Sequence, residues 1–322
     1  MEARAPTAEP APAGVLMSRV FDAPRDLMFR IWTEPEHLLR WWAPHDYTVP
    51  HAAFDARPGG RLRIDFRAPD GFTFANYGDV KEVVPPERLV FTTEYREDGK
   101  LLVVSLVTAT FAEEGARRTR VTIKSDVTFA EPEAAPSLAG MEEGWNQQVD
   151  KLELYAAHAA AGEPGTLAVV VPAGRPVLLM RRAFAAQRPL VWSCFTTPDR
   201  IARWLGPDGY VNSVPVFDPR PGGSYRIEQA SGGEVLTGDF LEIVEPERLV
   251  DTVEVEGSGA AASTGTHIFE AIDGGTLMTA IFRFDSVAER DAAVAAGMAP
   301  GSAQSYDRLA CFLAVIDKDN PA

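Results

Sequence analysis

The chain contains the same ten-residue signature twice, and this repeat constrains its fold more than any other feature. The signature, F-D-x-R-P-G-G-x-x-R, begins at Phe54 and again at Phe217, 163 residues later. A second shared block, G-D-x-x-E-x-V-x-P-E-R-L-V, begins at Gly78 and again at Gly238. Blocks that recur in the same order at similar spacing indicate a tandem of one fold. The length of 322 residues suits two domains of ordinary size.

Each half has the same predicted order of elements: a strand, two short helices, a series of strands and a long final helix. Apolar and polar residues alternate over 61–66 and 224–228, which is typical of a sheet with one apolar face. Apolar residues recur every three or four positions over 138–155 and 298–316, which predicts a helix with a broad apolar stripe. Strands with little helix between them pair antiparallel. The pattern therefore predicts an α+β fold, in which a curved antiparallel sheet wraps around one long C-terminal helix in each half.

The predicted boundaries follow from composition. Residues 1–13 are rich in Ala, Pro and Glu and are expected to form a disordered tail. The first domain is expected over 14–161 and the second over 176–318. The linker 162–175 contains an apolar run, 166–171, that is either an added edge strand or an extended connector.

Charge and composition exclude several classes of partner. The net charge of −15 argues against nucleic acids and anionic membrane surfaces, which require basic patches. No apolar run approaches the roughly 18 residues that suggest a membrane-spanning helix. The N-terminus lacks a secretory signal, and the only cysteines, Cys194 and Cys311, fit buried thiols in a reducing compartment. The expected location is the cytoplasm.

The sequence carries no recognised catalytic or metal-binding signature. Motifs for a nucleophile elbow, a phosphate-binding loop, a zinc protease or a paired-cysteine site are all missing. The five histidines have no spacing that suits a metal, so neither a metal nor another cofactor is expected, and no catalytic residue is assigned. His267 shares a strand face with Phe269 and could point inward, although a satisfied or exposed histidine is the simpler interpretation.

The combined motifs resemble a known family. The two shared blocks are followed by G-M-E-E-G-W-N-Q-Q-V-D-K-L over 140–152, and this order resembles the domain named after the activator of Hsp90 ATPase. That domain belongs to the START/Bet v 1-like superfamily, also called polyketide cyclase/dehydrase and lipid transport proteins. The resemblance implies two helix-grip domains. It does not imply one function, because the superfamily includes lipid carriers, cyclases and protein-binding modules.

The second half departs from the family pattern in its final helix. Ser302 stands in the position of Trp145, and Arg308 in that of Lys151. The loss of an indole leaves either a roomier interior or a gap that a neighbouring side chain fills.

The repeated signature has two interpretations. Its Pro-Gly-Gly is typical of a tight turn before a strand, but the loop could also border a ligand entrance. The pairs Arg63–Asp65 and Arg226–Glu228 fit the sheet surface, whereas an inward arginine would suit a carboxylate ligand.

The favoured function is binding of a small hydrophobic or aromatic molecule in an apolar cavity between sheet and helix. Aromatic residues after the second short helix could line that cavity or pack in the core. The candidate lining residues are Trp41, Tyr47, Phe74, Trp145, Trp204, Tyr210, His267 and Ser302. Two alternatives remain: a chaperone-interacting stimulator of the Hsp90 type, and a cyclase-like or hydrolase-like enzyme that acts in the cavity with His267.

Overall fold

The computed structural model describes residues 14–115, 117–161, 165–229 and 233–317. The tail predicted over 1–13 lies outside the described residues, as does the start of the predicted linker, 162–164. The chain divides into two compact units between residues 160 and 161.

The first unit is a seven-stranded antiparallel sheet with a long C-terminal helix. Its strands are β1 (Gly14–Phe21), β2 (Thr48–Phe54), β3 (Arg61–Arg67), β4 (Thr73–Val84), β5 (Arg88–Glu97), β6 (Lys100–Glu113) and β7 (Thr119–Ala130). Its helices in the described residues are α1 (Arg25–Thr33), α2 (Pro35–Leu38), α3 (Ala135–Ala139) and α4 (Met141–Ala161). The sheet order is β1-β7-β6-β5-β4-β3-β2, so the first strand pairs with the last.

The second unit repeats this arrangement and adds a strand. Its strands are β8 (Ala168–Val170), β9 (Val177–Phe184), β10 (Asn212–Phe217), β11 (Ser224–Gln229), β12 (Val235–Val244), β13 (Arg248–Val255), β14 (Ser263–Ile272) and β15 (Gly275–Arg283). Its helices in the described residues are α5 (Arg188–Thr196), α6 (Pro198–Trp204), α7 (Val287–Ala295) and α8 (Met298–Ile316). The sheet order is β10-β11-β12-β13-β14-β15-β9-β8. Strand β8 pairs antiparallel with β9 at the sheet edge, in the segment for which the sequence allowed an edge strand or an extended connector.

The predicted α+β architecture is confirmed in both units. In the first, Val149 and Leu152 of α4 are buried in one cluster with Val107 of β6 and Ile123 of β7. In the second, the corresponding residues of α8 join a cluster with strand residues of β9 and β15. The apolar stripe of the last helix therefore packs on the inner face of the sheet, as its period of three and four requires.

The repeated signature is a turn that only glycine can form. The amide of Gly59, at φ +81°, donates to Val80 O at 2.8 Å, and Val80 N donates to Gly60 O at 2.9 Å. A Cβ atom on Gly60 would lie 2.0 Å from Asp55 O, and one on Gly223 would lie 2.0 Å from Asp218 O. The signature therefore ties the start of β3 and of β11 to the next strand, which accounts for its conservation between the two halves.

Candidate functional site

One ion pair joins the first strand to the last helix in each unit. In the first unit, Arg19 Nη1 of β1 lies 2.7 Å from Asp150 Oδ1 of α4. In the second, Arg182 Nη1 of β9 lies 2.6 Å from Asp307 Oδ1 of α8. The arginines are 163 residues apart and the aspartates 157, which are the offsets of the surrounding repeat blocks. The repeat therefore places the same charged contact in both units.

In the first unit, further side chains of the same unit bind to both members of this ion pair. Asp150 is fully buried, and its Oδ2 lies 3.0 Å from His45 Nε2. Arg19 Nη1 also lies 3.1 Å from Glu153 Oε2. Burial raises the pKa of Glu153, and the nearby Arg19 opposes that shift. The space left beside Arg19, between β1 and α4, has a volume of only about 90 Å³.

The second unit leaves the contact open. Ala310 stands in the position of Glu153, so the second carboxylate is missing from α8. The side chain of Asp307 is 68% exposed, whereas that of Arg182 is 8% exposed. Among the described residues, Arg182 Nε is buried and has no hydrogen-bond partner. The arginine therefore pairs with Asp307 and places its guanidinium carbon 5.6 Å from the centroid of the Phe184 ring.

An open groove of about 760 Å³ lies beside Arg182. Small and apolar side chains form much of its wall, and Asp273 is exposed at the turn that borders it. The apolar wall residues include Leu167, Phe184, Ile272, Ala303, Ala310 and Leu313. The groove therefore combines an apolar surface with one buried cation, an arrangement that suits an amphipathic anion.

Tyr306 fills the interior next to this groove. It stands in the position of Val149, is buried, and packs its ring 6.1 Å from that of Trp204 and 6.3 Å from that of Phe184. Burial raises the pKa of its phenol, Asp251 raises it further, and Arg182 opposes the shift. Tyr306 therefore places an aromatic ring where the first unit has the smaller Val149, one helical turn after Ser302.

A polar cluster lies inside the second unit, beneath helix α8. Tyr225 Oη donates to Asp251 Oδ2 at 3.1 Å and to Thr252 O at 2.8 Å. His267 Nε2 lies 3.5 Å from Asp251 Oδ1. Burial, followed by the adjacent Asp251 carboxylate, holds the pKa of Tyr225 well above its usual range. His267 therefore points inward, and its polar partner Asp251 comes from the neighbouring strand β13.

The other candidate residues of the first unit lie in its interior. Trp41 is fully buried, and its indole N–H donates to Ile31 O at 3.0 Å. The ring of Tyr47 lies 6.3 Å from that of Phe74. Trp145 is 9% exposed and has its ring 6.4 Å from that of Trp42. These four residues pack with the core cluster of the sheet.

The candidates of the second unit have similar places. Trp204 repeats the bond of Trp41, because its indole N–H donates to Cys194 O at 2.9 Å. Tyr210 is half-buried, and its carbonyl accepts a bond from Arg308 at 3.0 Å. Ser302 is half-buried on α8, next to the groove residue Ala303. The described lining of the groove includes none of the eight candidate residues.

The replacement of Lys151 by Arg308 preserves a structural contact. Lys151 Nζ donates to Pro44 O and Tyr47 O, and Arg308 donates to the corresponding carbonyls of Pro207 and Tyr210. Both cations therefore fasten the loop after the second short helix to the last helix.

Within the described residues, no group of three or more His, Cys, Asp or Glu side chains is placed to hold a metal ion. The helices in the same part of the chain are too short or too polar to cross a bilayer.

The fold of the two units, each an antiparallel sheet packed on a long last helix, defines a protein with two START/Bet v 1-like helix-grip domains in tandem. The family model described as "Activator of Hsp90 ATPase homolog 1-like protein" matches residues 22–157 and 185–314. The chain belongs to this family, and both units are members of it.

Solved structures of single-domain length are similar to this chain. One is a protein from Rhodobacter sphaeroides, with 27% identity and a TM-score of 0.43 over 47% of this chain and 99% of that chain. A protein from Nitrosomonas europaea has 25% identity and a TM-score of 0.40, covering 46% and 97%. An AHSA1 protein from Silicibacter pomeroyi has 23% identity and a TM-score of 0.40, covering 47% and 100%. No protein of curated function matches the chain.

Proposed function

We propose that the second unit binds a small apolar molecule that carries a carboxylate or similar anionic group, with Arg182 as its anchor. The observation that carries the proposal is the difference between Glu153 and Ala310. The first unit places its own carboxylate against Arg19, at 3.1 Å, and the second unit has a methyl group in that position. A ligand carboxylate beside Arg182 would restore the contact that the first unit makes internally.

The chemistry of Arg182 supports an anionic ligand. Its guanidinium is permanently charged and presents several N–H donors in a plane. Asp307 neutralises it from the solvent side, but Nε has no partner among the described residues. A buried donor without a partner costs free energy, which an incoming acceptor recovers.

The body of the ligand would lie on the apolar wall. The volume of about 760 Å³ falls within the usual range for small-molecule sites, whereas the space of about 90 Å³ in the first unit does not. The proposal therefore places the ligand in the second unit.

The test is a comparison of two probes of equal chain length and opposite charge. Decanoate and decyltrimethylammonium are titrated into the whole protein by calorimetry. The net charge of −15 favours the cation overall, so a preference for the anion reports a local positive site. We expect decanoate to bind about tenfold or more tightly, as one charge-assisted hydrogen bond permits.

Variants locate the site. Arg182→Gln is expected to abolish the preference for decanoate, and Ala310→Glu, which installs the carboxylate of the first unit, is expected to block it. Arg226→Gln is the matched control, because Arg226 lies on the sheet of the same unit and pairs with Glu228 on its surface. Glu153→Ala is the control in the first unit. Equal binding of the two probes, or a preference that survives Arg182→Gln, would contradict the proposal.

A further inference from the structure

The second unit contains a buried polar cluster that its fold does not require. Tyr225, Asp251 and His267 are 7%, 7% and 8% exposed, respectively. They lie on β11, β13 and β14, with Asp251 between the other two residues. Buried polar groups in an otherwise apolar interior are unusual unless each has a partner.

In the first unit, the equivalent positions hold residues that only pack in the core. The repeat aligns Tyr225 with Leu62 and Asp251 with Phe91. Strand register aligns His267 with Ala109, because they pair with Leu249 and Leu89, respectively. All three counterparts are apolar and buried in the core cluster of the first unit. The fold is therefore stable without the cluster.

The cluster is incompletely satisfied. Among the described residues, Asp251 Oδ1 and His267 Nδ1 are buried without a hydrogen-bond partner. Space for the pair depends on Gly265, where a Cβ atom would lie 2.9 Å from Asp251 Oδ1 and 3.3 Å from His267 Nε2. The counterpart of Gly265 in the first unit is Val107, which faces Phe91 as Gly265 faces Asp251. Two unsatisfied polar atoms therefore lie where the first unit has hydrocarbon.

Tyr306 lies between this cluster and the groove. Its ring lies 6.3 Å from that of Phe184, which lines the groove, and the pKa of its phenol is raised by burial and by Asp251 and lowered by Arg182. His267 pairs with Ala280, which pairs with Met180, two residues before Arg182 on β9. The Cα atoms of His267 and Arg182 are separated by two strand spacings across the sheet and by two residues along the strand, which makes about 12 Å.

We propose that Asp251 and His267 bind a hydroxyl group at the far end of the ligand whose carboxylate pairs with Arg182. A hydroxyl group both donates and accepts, and so suits a carboxylate oxygen beside an imidazole nitrogen. The ligand class is then an apolar carboxylic acid with a distal hydroxyl group. This inference rests on the proposed function, because it extends the same ligand from the groove into the interior, and it requires the ring of Tyr306 to be displaced when the ligand binds.

The experiment uses the whole protein and two probes that differ in one group, decanoate and 10-hydroxydecanoate. We expect the hydroxy acid to bind about tenfold more tightly to the wild type, since its hydroxyl satisfies polar atoms that decanoate leaves unpaired. His267→Ala and Asp251→Asn are expected to remove this difference and to retain binding of decanoate. Circular dichroism checks that both variants are folded.

The outcomes separate the two proposals. If both probes bind the wild type equally, the cluster does not bind the ligand hydroxyl and holds water or nothing. The proposed function then stands. If neither probe binds, both proposals fail. A preference for the hydroxy acid that survives both substitutions places the hydroxyl elsewhere and overturns the inference.

A second measurement needs no substitution in the cluster. The imidazole nitrogens of the wild-type protein are labelled with ¹⁵N and followed by NMR during each titration. We expect the resonance of His267 Nδ1 to shift with 10-hydroxydecanoate and to shift much less with decanoate. Identical responses to the two probes would contradict the inference even if the variants fail to fold.

Discussion

Arg182 Nη1 lies 2.6 Å from Asp307 Oδ1, the same contact that Arg19 makes with Asp150 at 2.7 Å. The surroundings of the two pairs differ, because Asp150 has no exposed side-chain surface and Asp307 is 68% exposed. One conserved contact is therefore part of the core in the first unit and part of a groove wall in the second. Its contribution to stability should differ accordingly.

Removal of the carboxylate should destabilise the first unit much more than the second. Asp150→Ala leaves Arg19 and His45 without their buried anion and should lower the free energy of unfolding by about 3 kcal/mol or more. Asp307→Ala should cost less, about 1–2 kcal/mol, because Asp307 itself is exposed to solvent, although the substitution leaves the buried Arg182 without its anion. Denaturant unfolding followed by circular dichroism measures both. Equal losses in the free energy of unfolding would show that the two ion pairs contribute equally to stability despite their different burial.

Neighbouring glycines of the signature should respond differently to alanine. Gly222 has φ +81° with open space around it, so Gly222→Ala should cost about 1 kcal/mol through backbone strain alone. At Gly223 a Cβ atom would lie 2.0 Å from Asp218 O, so Gly223→Ala should cost at least about 3 kcal/mol. The two variants are compared by thermal and denaturant unfolding. A larger loss at Gly222 would contradict the turn geometry.

The second unit should lose stability in alkali. The folded-state pKa of Tyr225 is raised, mainly by burial and then by Asp251, above the value of about 10 in the unfolded chain. The unfolded state therefore releases its proton first, and the free energy of unfolding should fall as the pH rises beyond about 10. Urea unfolding between about pH 8 and pH 11 measures this slope. Tyr225→Leu, the residue of the first unit, should flatten it, and an unchanged slope would argue against Tyr225 as a source.

Trp204 was a candidate for cavity lining, and its hydrogen bond suggests a different test. Trp204→Phe removes the donor to Cys194 O and leaves a buried acceptor, so it should cost about 1–3 kcal/mol of stability. Binding of decanoate at the groove should persist, because Trp204 is not among the described lining residues. If the variant kept its stability but lost binding, Trp204 would belong to the ligand site after all.

The repeat and the periodicity were sufficient to predict the architecture. The alternation that begins at Leu62 and the stripe that contains Val149 correspond to β3 and α4. Strands β2 and β10 and helices α3 and α7 were not predicted. Strands β2 and β10 contain Pro50 and Pro215 and lack regular alternation, which hides them from a period-two pattern. Helix α7 begins with a capping box at Ser286 that was not recognised.

The site was harder to predict because its partners are distant in sequence. Arg19 lies 131 residues from Asp150, and no local pattern joins them. The repeat did contain a signal for the site. Arg19 and Arg182 occupy equivalent positions, at the 163-residue offset of their block, whereas the equivalent positions 153 and 310 hold a glutamate and an alanine. The difference between Trp145 and Ser302 lies on the same helices, eight residues before the positions of Glu153 and Ala310.

The short strand β8 has a consequence for how the second unit can be cut from the chain. A fragment that begins at residue 176 would lack β8, leaving β9 as an unpaired edge that is prone to intermolecular pairing. It would also lack Gly165, Thr166 and Leu167, which form one side of the groove. A fragment that begins at residue 165 retains both. The segment between the repeats thus supplies both an edge strand and part of the groove wall of the second unit, and a fragment without it would lack both.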